Sequence, residues 1–192
     1  MDGHLLIQNA TLVLPDRVVE GDLRVSAGSI STIASGGGLD ARSNEAVIDA
    51  TGLHLLPGAI DPHVHFREPG STEKEDLESG SRAAAAGGVT SFLDMPNNNP
   101  NATNRATLER KIAIASKKAV THHGFFIGAT NDNISDLQSV EGMDGVCGIK
   151  IFMGSSTGDL LVHEQQQLED IFANTGGVIA THAEDEERLQ QR

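Results

Sequence analysis

Two hydrophobic rhythms divide the chain. From residue 4 to residue 56, apolar positions come in short clusters. These are Leu5-Leu6-Ile7, Thr11-Leu12-Val13-Leu14, Asp22-Leu23-Arg24-Val25 and Ser29-Ile30-Ser31-Thr32-Ile33, followed by residues 45–49 and 53–56. Asn9, Pro15-Asp16, Gly21 and Ala27-Gly28 separate them, as turn residues separate strands. Gly36-Gly37-Gly38 reads as a flexible tip. The pattern predicts a small β-sandwich, or part of one, over residues 1–56.

From Pro57 onward the rhythm lengthens. Apolar runs over 58–65, 89–95, 124–130, 146–153 and 177–182 recur at intervals of roughly thirty residues. Each is nearly continuous in apolar character, as expected of parallel strands covered on both faces. Helical segments are expected between them. Thr72-x-x-Glu75 reads as a capping box opening a helix through Ala86, with Gly87-Gly88 as its stop. Residues 104–119 place Leu108, Ile112, Ala115 and Ala119 on one face. Residues 132–141 turn Ile134 and Leu137 inward, and 163–174 group Leu168, Ile171 and Phe172 before Gly176. A further helix begins at 184–192.

Repeated βα units predict an α/β fold with a parallel sheet, either open or closed into a barrel. Polar, reactive residues stand at the C-terminal ends of the apolar runs: His63, His65 and Arg67; Asn97; Lys150; and His182. In a barrel those ends meet at one mouth, whereas in an open sheet they spread along a line. A set that can act together therefore favours a barrel over residues 57–192. By this count the chain holds about five of the eight strands that a barrel requires.

Charge and composition narrow the partners. The net charge of -13 disfavours nucleic acid, which is bound by basic surfaces. Trp and Tyr are absent, so platforms for stacking bases are not expected. A small anionic substrate remains compatible, because a local site can be positive in an acidic protein. The single cysteine, Cys147, rules out an internal disulfide and fits a reducing, cytoplasmic setting. No basic segment followed by an apolar one opens the chain. No run approaches the roughly 18 apolar residues of a membrane span, so no membrane partner is expected.

The candidate chemistry starts at Asp61-Pro62-His63-Val64-His65-Phe66-Arg67. Residues i and i+2 of a strand share a face, so His63 and His65 aim at one point, as two nitrogen ligands of one metal would. Two incidental strand histidines are the alternative. Arg67 has the same parity and is placed to meet an anionic group bidentately. Lys150 lies in the middle of an apolar strand, where a charge is costly unless paired or removed. It reads either as a snorkelling or ion-paired lysine, or as a neutral amine that forms a Schiff base or takes up carbon dioxide. A carbamate would bridge two metal ions, and histidines at the same mouth favour it. His182 is a third candidate ligand. Asn97, in Met95-Pro96-Asn97-Asn98-Asn99-Pro100, is either a turn residue or a positioned amide. Residues 154–158 lack the lysine of a phosphate-binding loop and read as a tight βα loop. His4, His54, His122, His123, His163 and Cys147 are assigned structural roles. Glu184-Asp185 is expected to complement a helix N-terminus.

These residues together carry a family likeness. Asp61-Pro62-His63-Val64-His65-Phe66-Arg67-Glu68-Pro69-Gly70, then Lys74-Glu75-Asp76 and residues 80–90, Met95-Pro96-Asn97, residues 148–154 and His182-Ala183-Glu184-Asp185, resemble the dihydroorotases of the amidohydrolase superfamily in order and spacing. Arg67 is the specific part. Allantoinases usually carry asparagine there, and hydantoinases and dihydropyrimidinases usually lack the Arg-Glu-Pro-Gly run. The resemblance implies a metal-dependent (β/α)8 barrel, here cut short, with a small β-sandwich part. It implies two zinc ions: His63 and His65 on one, carboxylated Lys150 bridging both, and His182 on the second. Arg67 and Asn97 would hold the substrate carboxylate. The implied reaction is the reversible cyclisation of N-carbamoyl-L-aspartate to dihydroorotate in pyrimidine biosynthesis.

The pattern also departs from the family. A histidine on a sixth strand and an aspartate on an eighth, the family's general base, have no counterpart up to Arg192. The chain is therefore expected to be an N-terminal portion, with two open sheet edges and little activity alone. The alternatives are a non-catalytic relative serving a transcarbamoylase as structural partner, or a related allantoinase or hydantoinase. A homo-oligomer is compatible with either.

Overall fold

In the computed structural model Asn9 does not end the first strand. β1 runs unbroken over Leu5–Val13, with Asn9 at a φ of 60° inside it. Pairing with β2 (Val18–Ser26) slips between Ile7 and Ala10, so the two apolar clusters read from sequence form one bulged strand. The bulge is held by a carboxylate: Asn9 N–H donates to Asp22 Oδ1 at 2.9 Å, and Leu39 N–H donates to Asp22 Oδ2 at 2.9 Å. β3 (Ser29–Ser35) pairs antiparallel with β2, while β4 (Ala46–Asp49) and β5 (His54–Leu55) lie parallel to β1. The order is β3-β2-β1-β4, with β5 also on β1. Ala10, Leu12, Leu23 and Ala50 form its small core. Arg24 Nε meets Glu45 Oε1 at 2.6 Å, both side chains buried. The described residues are 3–154, 160–185, 188 and 191, and within them this region is one sheet rather than two facing sheets.

The chain separates into two units, Met1–Pro57 and Gly58–Arg192. The second alternates β6 (Ala59–Val64), α1 (Leu77–Ala86), β7 (Val89–Asp94), α2 (Arg105–Lys118), β8 (His122–Gly128), α3 (Ile134–Ser139), β9 (Val146–Phe152), α4 (Gln165–Asn174) and β10 (Ile179–His182). All five strands are parallel and lie in chain order, β10-β9-β8-β7-β6. Chain order without reversal is the order of a barrel wall; a doubly wound sheet reverses at a switch point. In a flat sheet the two outer strands would stand about 19 Å apart. Yet the charge of His182 on β10 acts on His63 on β6, as a curved wall allows. This is a truncated, five-stranded half of a (β/α)8 barrel.

The core explains the curvature's rigidity. Phe92 and Phe125 are fully buried on β7 and β8, and Phe66 meets Phe92 edge-on at 4.8 Å. A Cβ on Gly80 would come within 2.5 Å of the Phe66 ring, so α1 packs this close only because residue 80 has no side chain. Three expectations need correction. α1 begins at Leu77 rather than Thr72: Asp76 is its cap, accepting Ser79 N–H at 2.7 Å, and Glu75 accepts from the Ser79 hydroxyl instead of closing a box with Thr72. Phe172 is 49 % exposed while Ile171 is buried, because α4 faces the sheet through Ile171 and Leu168. β6 is largely exposed, with Ile60 at 65 %, because it is an edge strand of this sheet and not covered on both faces. The helix expected at 184–192, apart from residues 184, 185, 188 and 191, and the loop expected at 154–158, apart from Gly154, lie outside the described residues.

One buried residue was not anticipated. Lys111, on the inner face of α2 between Leu108 and Ala115, has a fully buried side chain. Its Nζ lies 2.9 Å from Asp94 Oδ2 at the end of β7. Burial pushes the Asp94 carboxyl up to about 6, against the opposing pull of Lys111. Burial also pushes Lys111 below the ordinary lysine range.

Two measurements test this packing. Phe92→Ala should lower the unfolding free energy by about 3–5 kcal/mol in urea titrations. Asp94 binds its proton more tightly folded than unfolded, so its contribution to stability is present below pH 3.8 and falls as pH rises to about 6. Replacing it by asparagine should remove that fall. The stability of wild type relative to Asp94→Asn should therefore decline across this window, and a flat difference would contradict the assignment.

Candidate metal and substrate site

β6 ends at Val64 and delivers two histidines to the C-terminal edge of the sheet. Their Nε2 atoms stand 3.2 Å apart, with ring centroids at 5.1 Å. Two nitrogens each about 2.05 Å from one tetrahedral ion would be about 3.3 Å apart, so the pair has the spacing of two ligands on one metal. His65 Nδ1 lies 2.7 Å from Asn97 Oδ1. An amide oxygen only accepts, so Nδ1 carries the proton and Nε2 keeps its lone pair for an ion. Burial, then the charges of Lys150 and His65, hold His63 below the ordinary histidine range. Burial lowers His65 as well, with Arg67 and Lys150 adding to it and Asn97 opposing. Neutral imidazole is the ligating form.

Lys150 sits in β9 with 2 % exposure, its Nζ 4.9 Å from the centroid of the Phe152 ring. Among the described residues no carboxylate lies within ion-pair distance of it, in contrast to Lys111. Burial alone lowers its pKa, which favours the free amine. His182 pairs with Phe152 across β9 and β10, stacks on that ring at 6.4 Å, and has Nε2 3.1 Å from Glu184 Oε1. Arg67 is half-buried, its backbone N–H donating to Glu75 O at 3.2 Å.

The structure thus brings His63, His65 and Asn97 into direct contact. Arg67 acts on His65 by its charge, as Lys150 and His182 act on His63. Among the described residues no three His, Cys, Asp or Glu side chains form a metal cluster on their own. The donor set of three imidazoles and a buried amine, its pKa lowered by burial, fits the implied metals only if Lys150 itself becomes an oxygen ligand. Cys147 is pushed up to about 12 by burial, which agrees with a structural role. His123 packs against Phe92 and Phe125 at the N-terminal end of β8, away from the mouth.

Asp94, Asn98 and Lys111 escaped the reading of the sequence. The available signal was a lysine three residues after Leu108 and four before Ala115, on an otherwise apolar helix face, opposite an aspartate closing a strand.

Comparison with known proteins agrees with this geometry. The amidohydrolase family model matches residues 54–183. A dihydroorotase of Methanosarcina acetivorans is 38% identical over 184 residues, covering 94% of this chain and 38% of that protein. An allantoinase of Deinococcus radiodurans is 36% identical over 195 residues, covering 97% of this chain and 42% of that protein. The L-hydantoinase of Arthrobacter aurescens superposes with a TM-score of 0.86 at 27% identity, over 98% of this chain and 42% of that one. The chain spans about two fifths of the length of these relatives. A parallel half-barrel in chain order, paired histidines at its mouth and a family match over residues 54–183 converge on one assignment: the chain belongs to the amidohydrolase family.

Proposed function

We propose that this chain supplies the first metal and carboxylate-binding elements of a dihydroorotase, which interconverts N-carbamoyl-L-aspartate and dihydroorotate. In this reading residues 1–56 belong to a small β domain and 57–192 to the catalytic barrel. The observation that carries the reading is Arg67. Arg67 follows His65 by two residues and adds positive charge to the field around it. A ring substrate bearing a carboxylate needs such a cation; a neutral hydantoin does not. Allantoinase is the second reading, favoured by relatives at 36–40% identity. A non-catalytic partner of a transcarbamoylase is disfavoured, since His63, His65, Lys150 and His182 are all retained.

His63 and His65 would hold one zinc ion and His182 a second. Lys150 Nζ, biased by burial toward the free amine, would attack carbon dioxide, forming an N–C bond and releasing a proton. The resulting carbamate would give Lys150 oxygen donors for metal. Two such ions acidify water and polarise an amide carbonyl. Asn97 Oδ1 orients His65, leaving its Nδ2 to donate to the substrate carboxylate beside Arg67. The general base and the remaining ligand would come from elements outside this chain. The cytoplasm is the proposed setting. No helix among the described residues is long and apolar enough to cross a membrane.

The deciding experiment assays the full-length enzyme against N-carbamoyl-L-aspartate, allantoin and hydantoin. Turnover of the first alone is expected; a preference for allantoin would replace this reading with the second. Lys150→Ala should cut activity and bound zinc by more than about a hundredfold, beyond the 10–100-fold typical of outer-shell partners. Zinc retained at full occupancy would contradict the carbamate. Arg67→Met should raise KM by roughly 10–150-fold, the loss of one charge-assisted contact, with zinc content unchanged.

A further inference from the structure

The buried contacts of Asp94, Lys111 and Asn98 bracket both residues assigned to the substrate carboxylate. Lys111 Nζ donates to Met95 O at 2.6 Å and to Asn98 Oδ1 at 2.5 Å. Those two acceptors flank Pro96-Asn97, so the turn carrying Asn97 is pinned at each end by one ammonium. Asn98 Nδ2 in turn donates to Phe66 O at 3.0 Å and to Glu68 O at 3.1 Å. Those two carbonyls flank Arg67. Asp94 Oδ1 accepts from Phe66 N–H at 3.0 Å, and Asp94 Oδ2 faces Lys111 at 2.9 Å. Phe66 is therefore held through both of its backbone groups, immediately after His65.

None of the three residues is among those placed in contact with metal or substrate. Stability alone does not account for them. A buried ion pair gains little over apolar residues of the same volume, because desolvation offsets the attraction. Strand pairing does not do this work either. The β6–β7 ladder closes at Val64 and Asp94, and Met95 N–H donates back to Val64 O at 2.9 Å. Beyond that point the loops carrying Arg67 and Asn97 are joined through the Asn98 side chain, whose own backbone N–H donates to Pro96 O at 2.8 Å, and through Asn99 N–H, which donates to Pro69 O at 3.1 Å.

We propose that Asp94, Lys111 and Asn98 form one positioning unit that sets the spacing of Arg67 and Asn97, and with it the site's preference for a substrate bearing a carboxylate. The unit acts as a two-ended clamp: a single charged hub in α2 reaches one loop directly and the other through Asn98 and Asp94. Its link to substrate choice rests on the dihydroorotase reading; the clamping itself does not.

The test uses Asn98→Ala in the full-length enzyme, which leaves the ion pair intact, with Lys111→Met as the second variant. Amide hydrogen exchange at Phe66 and Arg67 should speed up at least tenfold in Asn98→Ala, with β8 unchanged. The KM for dihydroorotate should rise at least tenfold with kcat within threefold. The inhibition constant of dihydrouracil, the same ring without the carboxylate, should stay within twofold. A purely structural role would lower Tm and move the KM and the inhibition constant together, and that result overturns the proposal, as does unchanged exchange. A wild type that prefers dihydrouracil sinks the substrate reading and the proposed link to specificity; the exchange result then decides the clamp by itself.

Discussion

The ion pair between Lys111 and Asp94 is the contact on which the mouth of this half-barrel depends. Both side chains are fully buried, and neither is tolerable there alone. Lys111 Nζ donates to Met95 O and Asn98 Oδ1 and lies 2.9 Å from Asp94 Oδ2, so oxygen surrounds it within the core. That arrangement requires α2, the end of β7 and the turn after it to meet in one geometry. Phe66 and Glu68 are then drawn in through Asn98 and Asp94. A packed apolar contact at the same place would tolerate sliding; a hydrogen-bonded charge does not.

Two buried lysines in neighbouring layers of one fold follow opposite logic. Lys111 has a counter-ion and stays within a polar network. Lys150 has an aromatic face and no carboxylate within ion-pair distance among the described residues, and burial drives it toward the neutral amine. The first arrangement is that of a structural hub. The second is that of a group whose charge is meant to be exchanged for another, which is the chemistry proposed for it. In the histidine pair, burial and neighbouring charges lower both pKa values, and the Asn97 oxygen chooses which nitrogen of His65 faces the mouth.

The likeness to dihydroorotases, allantoinases and a hydantoinase spans nearly the whole chain but only about two fifths of each relative. Family and half-barrel are common to all of them. In the dihydroorotase reading proposed above, Arg67 and the backbone that holds it would set this chain apart from the others.

The sequence by itself determined the βα alternation, the order of strands, the family and the candidate ligands. Periodicity and turn residues are local signals, and His63-x-His65 declares its shared face through strand parity alone. It misplaced the start of α1, because Thr72-x-x-Glu75 and Asp76-x-x-Ser79 are both plausible local caps, and the second is favoured by the buried Glu68 carboxylate, which accepts Leu77 N–H at 3.1 Å. It split β1 at Asn9, because a bulge and a turn use the same residue, and only the Asp22 carboxylate distinguishes them. It passed over Lys111, whose burial depends on a partner 17 positions earlier in the chain. Those decisions belong to the tertiary structure, since each rests on the energy of a buried polar group, and that energy is set by what the rest of the chain brings within hydrogen-bonding distance.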